Sequence, residues 1–289
     1  MNFPKFNSYN AAGEERELWR QIFLDVKKHG KVVAPRDKEI VEVENYHYEL
    51  PPYVRFCSLT PRELKLDYIR AETNWMLRGD PYDLTIGQHS NIWKNIVVDG
   101  RLNSNYGYAW YTKFGFDFIV KQLIADKDSR RASTVILERE HLDLRQKDVP
   151  CTAYVNFRIR EDKLNMSVHM RSQDAVYGMG NDAPAFSFLQ EMVFVTLRDS
   201  QYPELQMGSY HHTSDSFHVY ERHYTMLDQL TAEDVTFMPQ SLPRIKSIAE
   251  VNYLLSKNIG RQSLTIPGPP KHEDFWFCNW LETGQMEIL

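Results

Sequence analysis

Apolar positions along the chain fall into two periods, and each predicts its own elements. Leu18, Ile22, Phe23 and Val26 recur at helical spacing between Glu15 and Lys28, and Gly30 marks the stop. Thr60-Pro61-Arg62-Glu63 has the form of a capping box with proline at the first helical position, predicting a helix from there to about Leu77. Phe116 to Ala125 and Ala185 to Leu197 read as further helices, the second apolar on nearly every side and therefore central. Strands alternate with them: β-rich runs within Lys31 to Tyr48, and a short apolar strand from Ala132 to Leu137. Ala153 to Arg160 and Leu164 to Met170 both alternate with period two around Glu161-Asp162-Lys163, which predicts a hairpin with one buried face. The fold class that follows is α+β: a mixed or mostly antiparallel sheet with helices packed on one side.

Composition narrows this picture in a few places. The 289 residues bury a substantial core as one domain or two small ones, and the mean hydropathy of -0.52 is that of an ordinary soluble chain. A net charge of -5 argues against a general nucleic-acid binder while leaving room for a local basic pocket. Three cysteines, Cys57, Cys151 and Cys278, without CxxC spacing speak against a disulfide scaffold or a zinc ribbon and fit a reducing compartment. With no signal-peptide pattern at the N-terminus and no apolar run long enough to span a bilayer, the expected location is cytoplasmic, away from membranes. The proline-broken stretch GRQSLTIPGPPKHEDF, with Pro267, Pro269 and Pro270, reads as an ordered tail or a lid.

Candidate chemistry centres on Cys151, which opens the hairpin's first strand. A lone cysteine is more often a small buried hydrophobe than a nucleophile. Here, however, the second arm runs into Arg171-Ser172, so strand pairing would bring a guanidinium to the thiol and favour thiolate. Arg130-Arg131 offers a fork suited to phosphate, or simply a solvated charge pair, and Arg36 is a third isolated candidate. His211, His212, His218 and His223 lie close together without any common ligand spacing, so no metal is expected. There is no P-loop, no G-x-G-x-x-G and no G-x-S-x-G elbow.

Six fragments occur together in one order: Glu72-x-x-Trp75-x-Leu77-x-Gly79, Asn105-Tyr106-Gly107-x-x-Trp110, Asp128-x-Arg130-Arg131, Pro150-Cys151, Arg171-Ser172-x-Asp174-x-x-x-Gly178 and His218-x-Tyr220. In this the chain resembles the thymidylate synthase family over about residues 15–230, within a single domain 1–289 whose extension from about 232 to 289 has no matching part. The resemblance implies that family's mixed sheet and a homodimer formed through it. It implies Cys151 as the nucleophile on C6 of a pyrimidine nucleotide, with 5,10-methylenetetrahydrofolate as co-substrate and no metal. By the same resemblance Arg36, Arg130, Arg131, Arg171 and Ser172 would bind the 5′-phosphate, the paired arginines coming from the other subunit. His218 and Tyr220 would bond the ribose, Glu72 and Tyr106 would handle protons, and Glu72, Trp93 and Asp174 would face the folate.

Two departures from the synthase pattern select a branch. Thr152 follows the nucleophile where synthases have histidine, and Asp182, four residues after Gly178, stands where an asparagine reads uracil. Cytosine presents a donor at N4 and an acceptor at N3, which a protonated carboxyl matches. Both features are similar to the deoxycytidylate hydroxymethylases of T-even phages, in which water captures the exocyclic methylene. That implies transfer to C5 of dCMP to give 5-hydroxymethyl-dCMP. Hydroxymethylation of CMP, C5-methylation of dCMP or dUMP, a uracil reader if Asn181 takes the place of Asp182, and an RNA-binding regulatory homologue remain the alternatives.

Overall fold

The computed structural model describes residues 11–240, 242, 244–261 and 275–285. Helix α1 (Ala11–His29) places Leu18, Trp19, Ile22, Phe23 and Val26 in the core and ends on Lys27, Lys28 and His29, cations that suit a helix C-terminus. Strands β1 (Lys31–Val33) and β2 (Ile40–Leu50) follow. The helix expected from Thr60 does not start there. Thr60–Arg62 forms a single 3₁₀ turn, Glu63 breaks it at φ 54°, and α2 runs from Leu66 to Arg78. The cause is tertiary: the Thr60 hydroxyl and amide both bond to Thr236 O rather than capping a helix. Arg62 is meanwhile drawn inward to Val176 O.

After α3 (Asn91–Ile96) and α4 (Gly115–Ala125), strand β3 (Ser133–Val135) leads to the predicted hairpin, β4 (Thr152–Arg160) and β5 (Lys163–Met170). A two-residue strand, β6 (Gln173–Asp174), continues the line of β5. Helix α5 then spans Gly178–Ser200, starting seven residues before the expected Ala185, so Asn181 and Asp182 belong to its opening turns. Strand β7 (Gln206–Tyr220), which the hydrophobic pattern does not announce, is the longest in the sheet. Its buried side includes Tyr210, His212 and Ser214, so polar residues hide the alternation.

The strand order is β1-β2-β7-β5-β4-β3, with β6 also on β7; β7 runs parallel to β5 and β6, and the other pairs are antiparallel. The sheet is therefore mixed, and the α+β expectation holds. Val155, Phe157, Ile159, Leu164, Met166, Val168 and Met170 form its buried face, against which α1, α4 and α5 pack. A fully buried side chain such as Phe157 contributes roughly 1.5–3 kcal/mol. Helices α6 (Tyr224–Leu230), α7 (Ile248–Ser256) and α8 (Trp276–Thr283) complete the described chain. Glu250 ties α7 to α8 by accepting from Phe277 N and Cys278 N at 3.0 and 3.2 Å, and Phe277 packs edge-on against Phe188 of α5. The proline-rich stretch read as a tail or lid lies almost wholly outside the described residues. Among those described, no helix is long and apolar enough to cross a membrane.

Candidate active site

Cys151 ends the loop before β4, and Arg171 begins the loop after β5. Because Thr152 pairs with Met170, the next residues outward meet: Arg171 N donates to Cys151 O at 2.8 Å, and its Nη2 lies 3.6 Å from Sγ. The guanidinium is oriented by Val149 O at 2.6 Å and Pro150 O at 3.1 Å. The hairpin thus delivers the pair expected from the alternation. Its electrostatic outcome differs. Burial pushes the thiol up, and although Arg171 pulls it down, Asp182 and Asp148 add to the rise and Arg36 offsets only a little. In this state the Cys151 thiol keeps its proton at neutral pH.

The loop before Cys151 is braced by a residue the sequence reading passes over. Asp148, buried, accepts from Ser104 N at 2.9 Å and from the Ser104 hydroxyl, while Asn103 Nδ2 donates to Asp148 O at 3.0 Å. This fastens 103–105 to the cysteine loop and leads directly to Tyr106, whose buried ring stacks on Phe186 at 6.2 Å. Gly107 has a steric reason to be glycine: a Cβ there would lie 1.6 Å from Met76 O.

Two carboxyls face this region. Glu72 on α2 is buried and accepts from the Tyr68 hydroxyl at 2.9 Å, and Tyr68 accepts from Trp93 Nε1 at 2.9 Å. Tyr68 is one helical turn before Glu72, a spacing that marks it in hindsight. Burial, reinforced by the Asp182 charge, pushes Glu72 up to about 8. Asp182 is itself raised by burial to about 7, with Gln173 pulling it down and Asp174 pushing it up. Its neighbour Asn181 is engaged elsewhere, its Oδ1 accepting from Arg62 Nη2 at 3.1 Å. That arginine is buried, and a Cβ on Gly180 would strike its guanidinium at 2.1 Å. Asp182, not Asn181, is therefore the residue whose charge reaches Glu72, Tyr106 and Cys151.

The remaining expected residues divide into two groups. Arg36, held at φ 54°, bears electrostatically on Cys151 and Tyr220. His218 and Tyr220 lie at the end of β7 with ring centroids 5.0 Å apart, and Asp174 pairs with His218 across β6. Ser172 lies between Arg171 and β6. Arg130 and Arg131 are not brought to Cys151 within one chain. They are exposed beside Ala132, whose carbonyl accepts from Phe157 N. Phe157 is six residues along β4 from Cys151, about 20 Å at the rise of a strand. His211 and His212, adjacent on a strand, point to opposite faces. Among the described residues no group of three or more histidine, cysteine or carboxylate side chains is arranged to hold a metal.

A family model, Thymidylate synthase, matches residues 18–257. The chain is 30% identical over 238 residues to the deoxyuridylate hydroxymethyltransferase of Bacillus phage SP01, covering 73% of this chain and 59% of that protein. It is 28% identical over 172 residues to the deoxycytidylate 5-hydroxymethyltransferase of Enterobacteria phage T4, covering 56% and 70% respectively. It is 27% identical over 209 residues to the deoxyuridylate hydroxymethyltransferase of Delftia phage PhiW-14, covering 65% and 55%. The match thus spans less than two thirds of the SP01 and PhiW-14 proteins.

Proposed function

This chain belongs to the thymidylate synthase family, and we propose that it is a one-carbon transferase on pyrimidine nucleoside monophosphates, specifically a deoxycytidylate 5-hydroxymethyltransferase. The observation that carries the reading is the contrast at the start of α5: Arg62 occupies Asn181, while the Asp182 charge bears on Glu72, Tyr106 and Cys151, its own carboxyl raised to about 7. A carboxyl that is protonated in a large fraction of molecules at neutral pH offers cytosine an acceptor for N4–H and a donor for N3.

Arg36, Arg171 and Ser172 would bind the 5′-phosphate, and Arg130 and Arg131 would complete that site from a second copy of the chain in a homodimer. Their distance from Cys151 of the same chain supports this arrangement. His218 and Tyr220 would bond the ribose. Once its proton has left, Cys151 Sγ bonds to C6, and the C5=C6 electron pair makes C5 nucleophilic. Proton sharing between Asp182 and N3 offsets the charge that reaches the ring.

Methylenetetrahydrofolate, when bound, supplies C5 with an electrophilic one-carbon unit. The residues present fit a folate: Trp93 gives a half-buried indole for a flat ring, its N–H leads through Tyr68 to Glu72, and Asp174 lies beside β7. Glu72, raised to about 8, is mostly protonated at neutral pH and supplies a proton donor there, with Tyr106 as its partner in proton handling. With the one-carbon unit on C5, loss of the C5 proton, which ends on the folate nitrogen, would break the bond from the exocyclic carbon to that nitrogen and release tetrahydrofolate. Water would then add to the exocyclic carbon, its proton going to the departing thiolate. The electron pair returns to the ring and expels Cys151 Sγ, restoring C5=C6. Thr152, buried where synthases have histidine, supports capture by water rather than reduction.

One observation favours uracil as the base instead: two of the three relatives described above are deoxyuridylate enzymes. Incubation with methylenetetrahydrofolate and each of dCMP, CMP and dUMP, followed by product mass, separates the readings. A dCMP product heavier by one CH2O is expected. Turnover of dUMP alone would remove the Asp182 argument, and a gain of one CH2 would mean methylation. Cys151→Ser should lower turnover at least about 10³-fold while the protein still binds dCMP.

A further inference from the structure

The motif Arg171-Ser172-x-Asp174 contains one residue with no assigned role, Gln173, and that side chain is buried against Asp182. Gln173 Nε2 donates to Asp182 Oδ2 at 3.2 Å, with Met170 Sδ, a weak acceptor, 3.4 Å from the same nitrogen. Its Oε1 accepts from the Tyr48 hydroxyl at 3.4 Å. Tyr210 OH lies 2.5 Å from His212 Nδ1. Tyr48 and His212 stack with centroids 4.6 Å apart and planes 7° from parallel. The bonds through Gln173 run from Tyr48 on β2 to the carboxyl at the start of α5.

Asp182 alone does not distinguish the two bases. A neutral carboxyl has one donor and one acceptor oxygen. With the proton on one oxygen it matches cytosine, and with the proton on the other it matches uracil, whose O4 accepts and whose N3 donates. Discrimination therefore needs something that decides which oxygen carries the proton. An oxygen that receives an N–H is held as the acceptor, so Gln173 leaves the proton to Oδ1.

The amide needs a fixed orientation to do this, because a flipped Gln173 would accept a proton from Oδ2 and donate to Tyr48. Met170 Sδ, 3.4 Å from the amide nitrogen, supplies the direction, because a thioether sulfur accepts but cannot donate and so matches the N–H rather than the amide oxygen.

We propose that Gln173, oriented by Tyr48 and Met170, is a positioning residue that fixes the acceptor oxygen of Asp182 and thereby sets the preference between cytosine and uracil; this rests on the reading that Asp182 meets the base.

The test compares kcat/KM for dCMP and dUMP in the full-length wild type, Gln173→Leu and Tyr48→Phe. Gln173→Leu should reduce the dCMP-to-dUMP ratio about tenfold. Tyr48→Phe, which keeps the amide but releases its orientation, should reduce it by a smaller factor. Equal slowing on both substrates, with the ratio unmoved in both variants, would overturn the proposal and leave Gln173 a packing role. Should Gln173→Leu fail to fold, as judged by circular dichroism, Tyr48→Phe carries the test with the same two outcomes. A wild type that prefers dUMP would refute the cytosine reading separately, and with it the selection of cytosine. A wild type active on neither nucleotide would remove both.

Discussion

Helix α5 carries two buried carboxyls that the fold treats in opposite ways. Glu191, in its middle, forms an ion pair with Arg55, which also lies over the Phe188 ring at 5.2 Å. Asp182, in its opening turns, receives among the described residues the neutral amide of Gln173, and the charged neighbour that shifts it is another carboxylate, Asp174. Burial pushes both groups up, but at Glu191 the guanidinium pulls back, whereas Asp182 rises to about 7. Glu72 is treated like Asp182, with a tyrosine hydroxyl and, among the described residues, no cation as partner, and rises to about 8. The difference teaches what sets a buried carboxyl: an arginine partner opposes the rise that burial imposes, and neutral partners leave most of it in place.

The comparison breaks most visibly at Arg55. Arg55→Met strands an unpaired charge in the core and should cost about 3–5 kcal/mol in urea denaturation, while leaving the base preference of the remaining folded protein unchanged. A loss well under 1 kcal/mol would show that the pair does not hold this part of α5. Asp182→Asn comes next. It removes the titrating carboxyl but keeps the shape, and should shift the ratio of kcat/KM toward dUMP by about 10²-fold. An unmoved ratio would mean that residue 182 does not read the base.

The smallest effect is on stability against pH. Folding raises Asp182 from 3.8 to about 7 and Glu72 from 4.5 to about 8. Between about pH 4 and about pH 8 the folded chain therefore holds protons that the unfolded chain has released. Stability supplied by these groups is complete below the lower values and is lost as pH rises through the upper ones. Between about pH 6 and about pH 8 each should contribute a decline of about 1–2 kcal/mol. Denaturation of wild type and Asp182→Asn near pH 6 and near pH 8 should give the flatter dependence in the variant. Identical slopes would show that Asp182 is not raised, and the contrast with Glu191 would lose its basis.

Local pattern made part of this site legible before any coordinates. Period-two alternation on both sides of Glu161-Asp162-Lys163 is enough to pair β4 with β5, and pairing alone carries Arg171 to Cys151. The order of the six motifs likewise makes the family recognisable, and with it the mixed sheet. What local pattern misjudged has a common origin. Thr60-Pro61-Arg62-Glu63 has every mark of a helix start, yet Thr60 bonds to Thr236 and Arg62 to Val176, partners more than a hundred residues away. Strand β7 was hidden because its core-facing side is built from Tyr210, His212 and Ser214, whose burial is acceptable only where a sheet supplies their partners.

The sequence by itself determined the chain's family, its fold class and the placement of a guanidinium at the Cys151 thiol, since each depends on neighbours in the chain or on a single hairpin. Only the tertiary structure decided how the side chains at the start of α5 are engaged, Asn181 by Arg62 and Asp182 by Gln173. The bond from Arg62 to Asn181 and the bond from Tyr48 to Gln173 both join residues more than a hundred positions apart. So the different surroundings of Asn181 and Asp182, one residue apart, are made by contacts that no local pattern encodes.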